Sequence, residues 1–248
     1  MSLKYYLGSI IALPLLPILF LQGKKIRANV PKLPEAKNPK GYIKKTSTKT
    51  LKMLVIGEST IAGVGVDFHE NGFTGILAKT IAGQSEVSIL WQVYAKSGYT
   101  ARMVRNRLLP KIEDTTADLI VIGLGGNDAF KLNSPDVWII QINKLIKDLK
   151  RKYPKTPIYF TNMPPIKEFP AFTKSIKFVI GNLVELLGKR LYKRVKNKDN
   201  VYYNNEVITL ESWQEKYNLS DEVSTFFSDG VHPSKLTYQL WGKDMANF

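Results

Sequence analysis

Met53-Leu-Val-Ile-Gly57-Glu-Ser59-Thr-Ile-Ala-Gly63-Val-Gly65 decides how the chain is read, because an unbroken apolar run ends at a glycine and a hydroxyl follows two residues later. Leu54, Val55 and Ile56 are too continuous for the alternation of a half-exposed strand and predict one buried on both faces. Ser59 then falls just past the carboxyl end of a central strand, where open α/β sheets place their sites. Two other readings of the same residues are a helix-capping turn and a glycine-rich phosphate cradle. The cradle lacks the Lys-Ser/Thr of a P-loop, and Gly63-x-Gly65 lacks the third glycine of a dinucleotide fingerprint.

Outward from this stretch, strand-like runs at 51–57, 87–95, 118–123, 157–162 and 201–205 alternate with helical patterns near 72–82, 100–112, 135–152, 171–197 and 234–246. That alternation predicts an α/β domain over residues 51–248, a parallel sheet with helices on both faces. Short polar and glycine clusters follow the strand ends: Lys96-Ser-Gly98-Tyr-Thr, Leu124-Gly-Gly-Asn127-Asp128 and, near the C-terminus, Ser228-Asp229-Gly-Val-His232-Pro233. Each alone reads as a turn. Together they converge on the edge that carries Ser59.

At 248 residues, 44% of them hydrophobic, the chain suffices for one substantial core. It has no cysteine, which excludes disulfides, thiolate metal sites, a cysteine nucleophile and an acylated N-terminal cysteine. A formal charge of +15 attracts polyanions or anionic membrane surfaces. No nucleic-acid motif and no basic stripe with interleaved aromatics is present, so nucleic acid is set aside.

Residues 5–23 carry no charge, and their length just suffices to cross a bilayer, which takes about 20 apolar residues. Pro14 and Pro17 would break a helix in water and are better tolerated in a membrane. Residues 1–23 are therefore expected to form a transmembrane anchor or uncleaved signal segment, since no small-x-small cleavage pattern follows directly. Residues 24–50, rich in lysine with Pro31, Pro34 and Pro39, read as a tether along anionic head groups. The basic downstream flank favours a cytoplasmic domain over a periplasmic or extracellular one.

A serine hydroxyl needs a base to take its proton, and the chain has two histidines, His69 and His232. His69, in a polar loop, is expected at the surface or bonded within that loop. His232 is the better base, because Asp229 three residues earlier can turn back onto its ring and fix the tautomer. Backbone N–H groups of Ser59 and Gly98 and the Asn127 amide are candidate donors to an oxyanion.

In order and spacing, Gly57-Glu-Ser59, Gly98, Gly126-Asn127-Asp128 and Asp229-Gly-Val-His232 resemble the four blocks of the SGNH/GDSL hydrolases. The resemblance runs from Leu51 to the C-terminus. It implies Ser59 as nucleophile, His232 as base, Asp229 as its orienter, and Ser59, Gly98 and Asn127 as the oxyanion hole. It further implies a flavodoxin-like three-layer α/β/α sandwich on a five-stranded parallel sheet, with no cofactor and no metal. One departure is visible: the usual Gly-Asp-Ser reads Gly57-Glu58-Ser59, expected to alter local packing more than mechanism. Asp128 is expected to be a structural hydrogen-bond acceptor.

Apolar residues of 163–172 and of the loop through Phe226 and Phe227 are expected to line an acyl site or to pack on the sheet. With an anchor and a cationic tether, they point to an ester or thioester of a lipid as substrate. A carbohydrate O-acetyl esterase or acetyltransferase of the cell envelope, and a non-catalytic membrane-surface binding protein, are the alternatives.

Overall fold

Continuous apolar runs that form a sheet's centre must be covered on both faces, and the computed structural model shows how. It describes residues 3–248; Met1 and Ser2, the first residues of the expected anchor, lie outside the described residues. Six strands, β1 (Lys40–Ile43), β2 (Thr50–Gly57), β3 (Ser88–Ala95), β4 (Leu119–Gly123), β5 (Ile158–Phe160) and β6 (Val201–Tyr203), lie in the order β1-β3-β2-β4-β5-β6. From β3 to β6 all pairings are parallel, the doubly wound order of flavodoxin-like sheets. Met53, Leu54, Val55 and Ile56 on β2 and Ile120, Val121 and Ile122 on β4 are buried.

The helices follow from caps and stripes. Ser134 accepts from the Val137 N–H, Pro135 opens the helix Pro135–Lys152, and Lys150, Arg151 and Lys152 close it. Its buried residues Trp138, Ile142, Leu145 and Leu149 repeat every three or four positions and form one apolar face. This helix packs with Asn182–Val195, while Phe73–Ser85 packs with the C-terminal helix Lys235–Ala246. A helix over Leu210–Tyr217 was not expected from the sequence; Thr209 and Ser212 form its capping box.

The sheet exceeds expectation by one strand. Residues 24–50 do not form an open tether: the N-terminal helix runs on to Asn29, and Lys40–Ile43 pairs antiparallel with β3 at the sheet edge. Four residues are too few to show a period. The pairing is made through backbone, and Gly41 lies so close to Trp91 that a Cβ would reach 2.3 Å from its ring.

The N-terminal segment is a helix over Leu3–Ala12, a 3₁₀ turn over Leu13–Leu15 containing Pro14, and a helix over Leu16–Asn29 opened by Pro17. The helical stretch Tyr5–Asn29 is long and apolar enough to cross a membrane, its most apolar 18-residue window having a mean hydropathy of 1.7. Tyr5, Leu19 and Ile26 pack against the domain, and Gln22 accepts a hydrogen bond of 2.6 Å from the Thr173 hydroxyl. Ile10, Phe20 and Leu21 are exposed.

Candidate active site

A parallel strand delivers the residue after its last hydrogen bond to the sheet's carboxyl edge, and the loops after β2, β4 and β5 meet there with the loop that precedes the C-terminal helix. Ser59, Asn127 and His232 line one pocket of about 110 Å³, together with Leu124, Phe130, Ile166, Phe169 and Trp241. The expected apolar stretch 163–172 thus supplies part of the wall. Phe226 and Phe227 are buried behind it, with the Phe227 ring 5.3 Å from that of Phe169.

Asp229 and His232 form a closed local unit. One carboxylate oxygen accepts from the backbone N–H of Val231 (2.9 Å) and His232 (2.7 Å), and the other lies 2.7 Å from His232 Nδ1. Burial works to raise the Asp229 carboxyl, but these hydrogen bonds and the nearby ring outweigh it and hold it below the usual aspartate value. An ionised carboxylate only accepts, so Nδ1 carries the proton and Nε2 has the free lone pair. The loop is seated by close approach: Gly65, at φ +107°, passes so near the Pro233 carbonyl that a Cβ would stand 2.2 Å from its oxygen. The Tyr238 hydroxyl donates to the Val64 carbonyl at 2.8 Å and ties the Gly65 loop to the C-terminal helix that follows His232. No hydrogen bond joins Ser59 Oγ to His232 among the described residues. Such contacts are often long before substrate arrives.

The three oxyanion candidates lie on three loops, Ser59 after β2, Gly98 after β3 and Asn127 after β4. Gly98 adopts φ +78° in the turn closed by the Tyr99 N–H on the Lys96 carbonyl, a backbone that favours glycine, and open space lies where a Cβ would be. Gly98 itself does not line the pocket. The last two loops are joined where Asn127 Nδ2 donates to the Tyr99 carbonyl at 3.2 Å, leaving that amide a second N–H. Asp128 is buried and accepts from the Ala101 N–H and Asn133 Nδ2, each at 2.8 Å.

Two carboxylates hold these loops, and neither role was read from the sequence. Glu58 is buried and accepts from the backbone N–H of Gly126 (2.8 Å) and Asn127 (2.9 Å), one on each oxygen. Burial pushes its carboxyl up to about 7, against those hydrogen bonds and with help from Asp128. The departure from Gly-Asp-Ser is therefore more than packing: the longer side chain fixes the Asn127 backbone. Glu35, inside the stretch expected to be a tether, accepts from the Ser97 N–H at 2.7 Å and from Lys96 Nζ at 2.9 Å, beside Gly98. Partial burial works to raise Glu35, but these partners bring it below its usual value.

His69 is buried rather than at the surface, while its carbonyl accepts from the Gly72 N–H within the loop at 3.1 Å, the other expectation. Its backbone N–H donates to the Lys37 carbonyl at 3.0 Å, and burial lowers its ring to about 4. The segment carrying Glu35 also covers it, as Ala36 and Lys37 donate to the Ala62 and Asp67 carbonyls. No group of three or more His, Cys, Asp or Glu suited to a metal ion is found among the described residues.

The profile of the GDSL-like lipase/acylhydrolase family matches residues 55–240, which include Ser59, Gly98, Asn127, Asp229 and His232. The chain belongs to this family. Solved structures share the fold of this GDSL hydrolase at low identity. A Clostridium thermocellum family 3 carbohydrate esterase superposes with a TM-score of 0.60 at 16% identity, over 81% of this chain and 95% of that one. A variant of an acetyl-xylooligosaccharide esterase from Geobacillus Stearmophilus gives 0.60 at 16%, over 79% and 93%. An extracellular lipase from Streptomyces rimosus gives 0.55 at 14%, over 79% and 98%. No curated protein matches the sequence. Family and fold together make the chain a serine esterase of the GDSL type.

Proposed function

We infer that the chain is a membrane-anchored hydrolase of carboxylic esters, with the helix of residues 5–29 as anchor and a lipid ester as substrate. The reading is carried by one observation: Ser59, Asn127 and His232 line a single pocket while Asp229 fixes the His232 tautomer. His232 Nε2 takes the Ser59 proton as Oγ attacks the ester carbonyl, and the oxyanion is held by the Ser59 and Gly98 N–H groups and the Asn127 amide. The tetrahedral adduct collapses to a Ser59 acyl ester as the imidazolium returns the proton to the departing alcohol. Water, deprotonated by the same nitrogen, then releases the acid and restores Ser59. The basic residues Lys24, Lys25 and Arg27 at the end of the apolar run favour a cytoplasmic domain.

A second reading has a specific observation in its favour. The pocket at Ser59 is small, and an acetyl group on an envelope carbohydrate suits it; one structural neighbour is a carbohydrate esterase and another an acetyl-xylooligosaccharide esterase. A non-catalytic binding protein gives no reason for Ser, His, Asp and Asn to be kept at one pocket.

Ser59→Ala in the full chain is the test. It should remove fluorophosphonate labelling and lower ester cleavage by at least about 10³-fold with folding intact. Cleavage within tenfold of the parent would exclude the mechanism. Esters of graded acyl length separate the two substrates: a rate peaking at acetyl favours the carbohydrate ester.

A further inference from the structure

Two depressions flank the segment that follows Asn127, and the proposed ester chemistry uses neither. One is a basin of about 500 Å³ whose lining includes Arg102, Arg107 and Lys131, the hydrogen-bonding groups of Thr100 and Asn106, and no carboxylate. The other is a groove of about 210 Å³ between the N-terminal helix and the domain, walled by Leu13 and Leu16 on one side and Leu132, Phe178 and Leu183 on the other. Three consecutive residues join them to the active site: Phe130 lines the pocket, Lys131 the basin and Leu132 the groove.

Several features mark these as more than surface relief. Arg105, in the same segment as the basin's arginines, is neutralised by Asp148 at 2.6 Å, whereas Arg102, Arg107 and Lys131 have no carboxylate partner among the described residues. Arg107 lies 5.8 Å over the Tyr99 ring, and the Tyr99 carbonyl receives Asn127 Nδ2, so basin and oxyanion donors share a frame. Each depression is bordered by a π-helical turn, Val104–Leu108 at the basin and Lys177–Gly181 at the groove. Such wide turns recur at functional sites; the one at the basin carries Arg107 and follows directly on the turn Ala101–Met103 that carries Arg102. Leu132 holds a left-handed backbone, φ +54°, that a branched apolar residue rarely adopts, and it is half-exposed at the groove.

From this juxtaposition we propose that the substrate is a lipid ester with a phosphate in its head group, the phosphate bound by Arg102, Arg107 and Lys131 and the acyl chain in the groove against the N-terminal helix. The inference rests on the lipid-ester reading above and names its head group. Guanidinium groups recognise phosphate through paired, charge-assisted hydrogen bonds. An uncharged sugar acetate needs neither the cations nor the groove. The bond cleaved remains the carboxylic ester, and the phosphate only positions it.

The test measures binding separately from turnover. Full-length Ser59→Ala protein in neutral detergent micelles is titrated with 1-O-hexadecylglycerol 3-phosphate and with 1-O-hexadecylglycerol, ethers that no esterase cleaves. The phosphate ether should bind at least tenfold tighter. That preference should fall to within twofold in the Arg102→Ala/Arg107→Ala/Lys131→Ala background, and also in Lys131→Glu, whose exposed position spares the fold. Phe178→Ser should weaken both ethers alike. Equal affinity for the two ethers overturns the proposal, as does a preference that survives both charge changes. Binding lost while the parent still cleaves esters through Ser59 sinks this inference alone. Selective binding in a chain without Ser59-dependent cleavage sinks the catalytic reading instead.

Discussion

Of the three loops proposed to carry oxyanion donors, those of Asn127 and Gly98 are held by the same kind of group in opposite surroundings. Glu58 holds Gly126 and Asn127 from inside the protein, with 5% of its surface exposed. Glu35 holds Ser97 and Lys96 from the rim, with 30% of its side chain exposed. A buried carboxylate that satisfies two backbone donors is expensive to alter, because those donors lose their partner where water cannot replace it. A rim carboxylate competes with solvent and salt. The Asn127 loop should therefore be the rigid half of the oxyanion site and the Gly98 loop the yielding half.

The largest expected effect lies in the rigid half, at the donor itself. Asn127→Ala should lower kcat by about 10²- to 10³-fold, as loss of one oxyanion donor does elsewhere, with KM for a soluble ester little changed. Steady-state kinetics decide it, and a loss below fivefold would remove Asn127 from the site.

Glu58→Gln comes next. Gln keeps one acceptor and turns an NH₂ toward the second N–H, so about 1–3 kcal/mol of support for the loop is at stake, roughly a 10- to 100-fold fall in kcat. The same variant tests the raised carboxyl. With a value about 7 in the folded protein against an ordinary 4.5, Glu58 holds its proton more tightly when folded. Its contribution to stability is then fully present below about 4.5 and fades as pH rises through 7. Thermal unfolding midpoints between pH 5 and 8 should fall more steeply in the parent than in Glu58→Gln. Parallel curves would show that the carboxyl is not raised.

How much of this could be read in the sequence follows the same divide. β2 and β4 are continuous apolar runs, and Asp229 lies three residues from the His232 it bonds; both signals are local. Glu58 stood in plain view beside Ser59, but its partners are 68 and 69 positions away, a contact that periodicity does not report. Glu35 had no signal at all, since the stretch around it is irregular and docks by backbone hydrogen bonds from Ala36 and Lys37. The four-residue edge strand was hidden for the same reason. His69 looked polar by its neighbours and is buried because that same segment covers it.

The yielding half gives the smallest effect and the clearest contrast. Glu35→Gln removes the charge that pairs with Lys96 but leaves an oxygen able to accept the Ser97 N–H. An exposed pair of this kind contributes about 0.2–1 kcal/mol, so kcat should fall no more than about fivefold. Because the pair is solvent-facing, salt should produce a similar loss in the parent: activity measured from 0.05 to 0.5 M NaCl should converge on that of Glu35→Gln, while the deficit of Glu58→Gln stays constant. A Glu35→Gln loss as large as that of Glu58→Gln, and insensitive to salt, would mean that the rim carboxylate grips its loop as firmly as the buried one. The two halves of the oxyanion site would then be equally rigid.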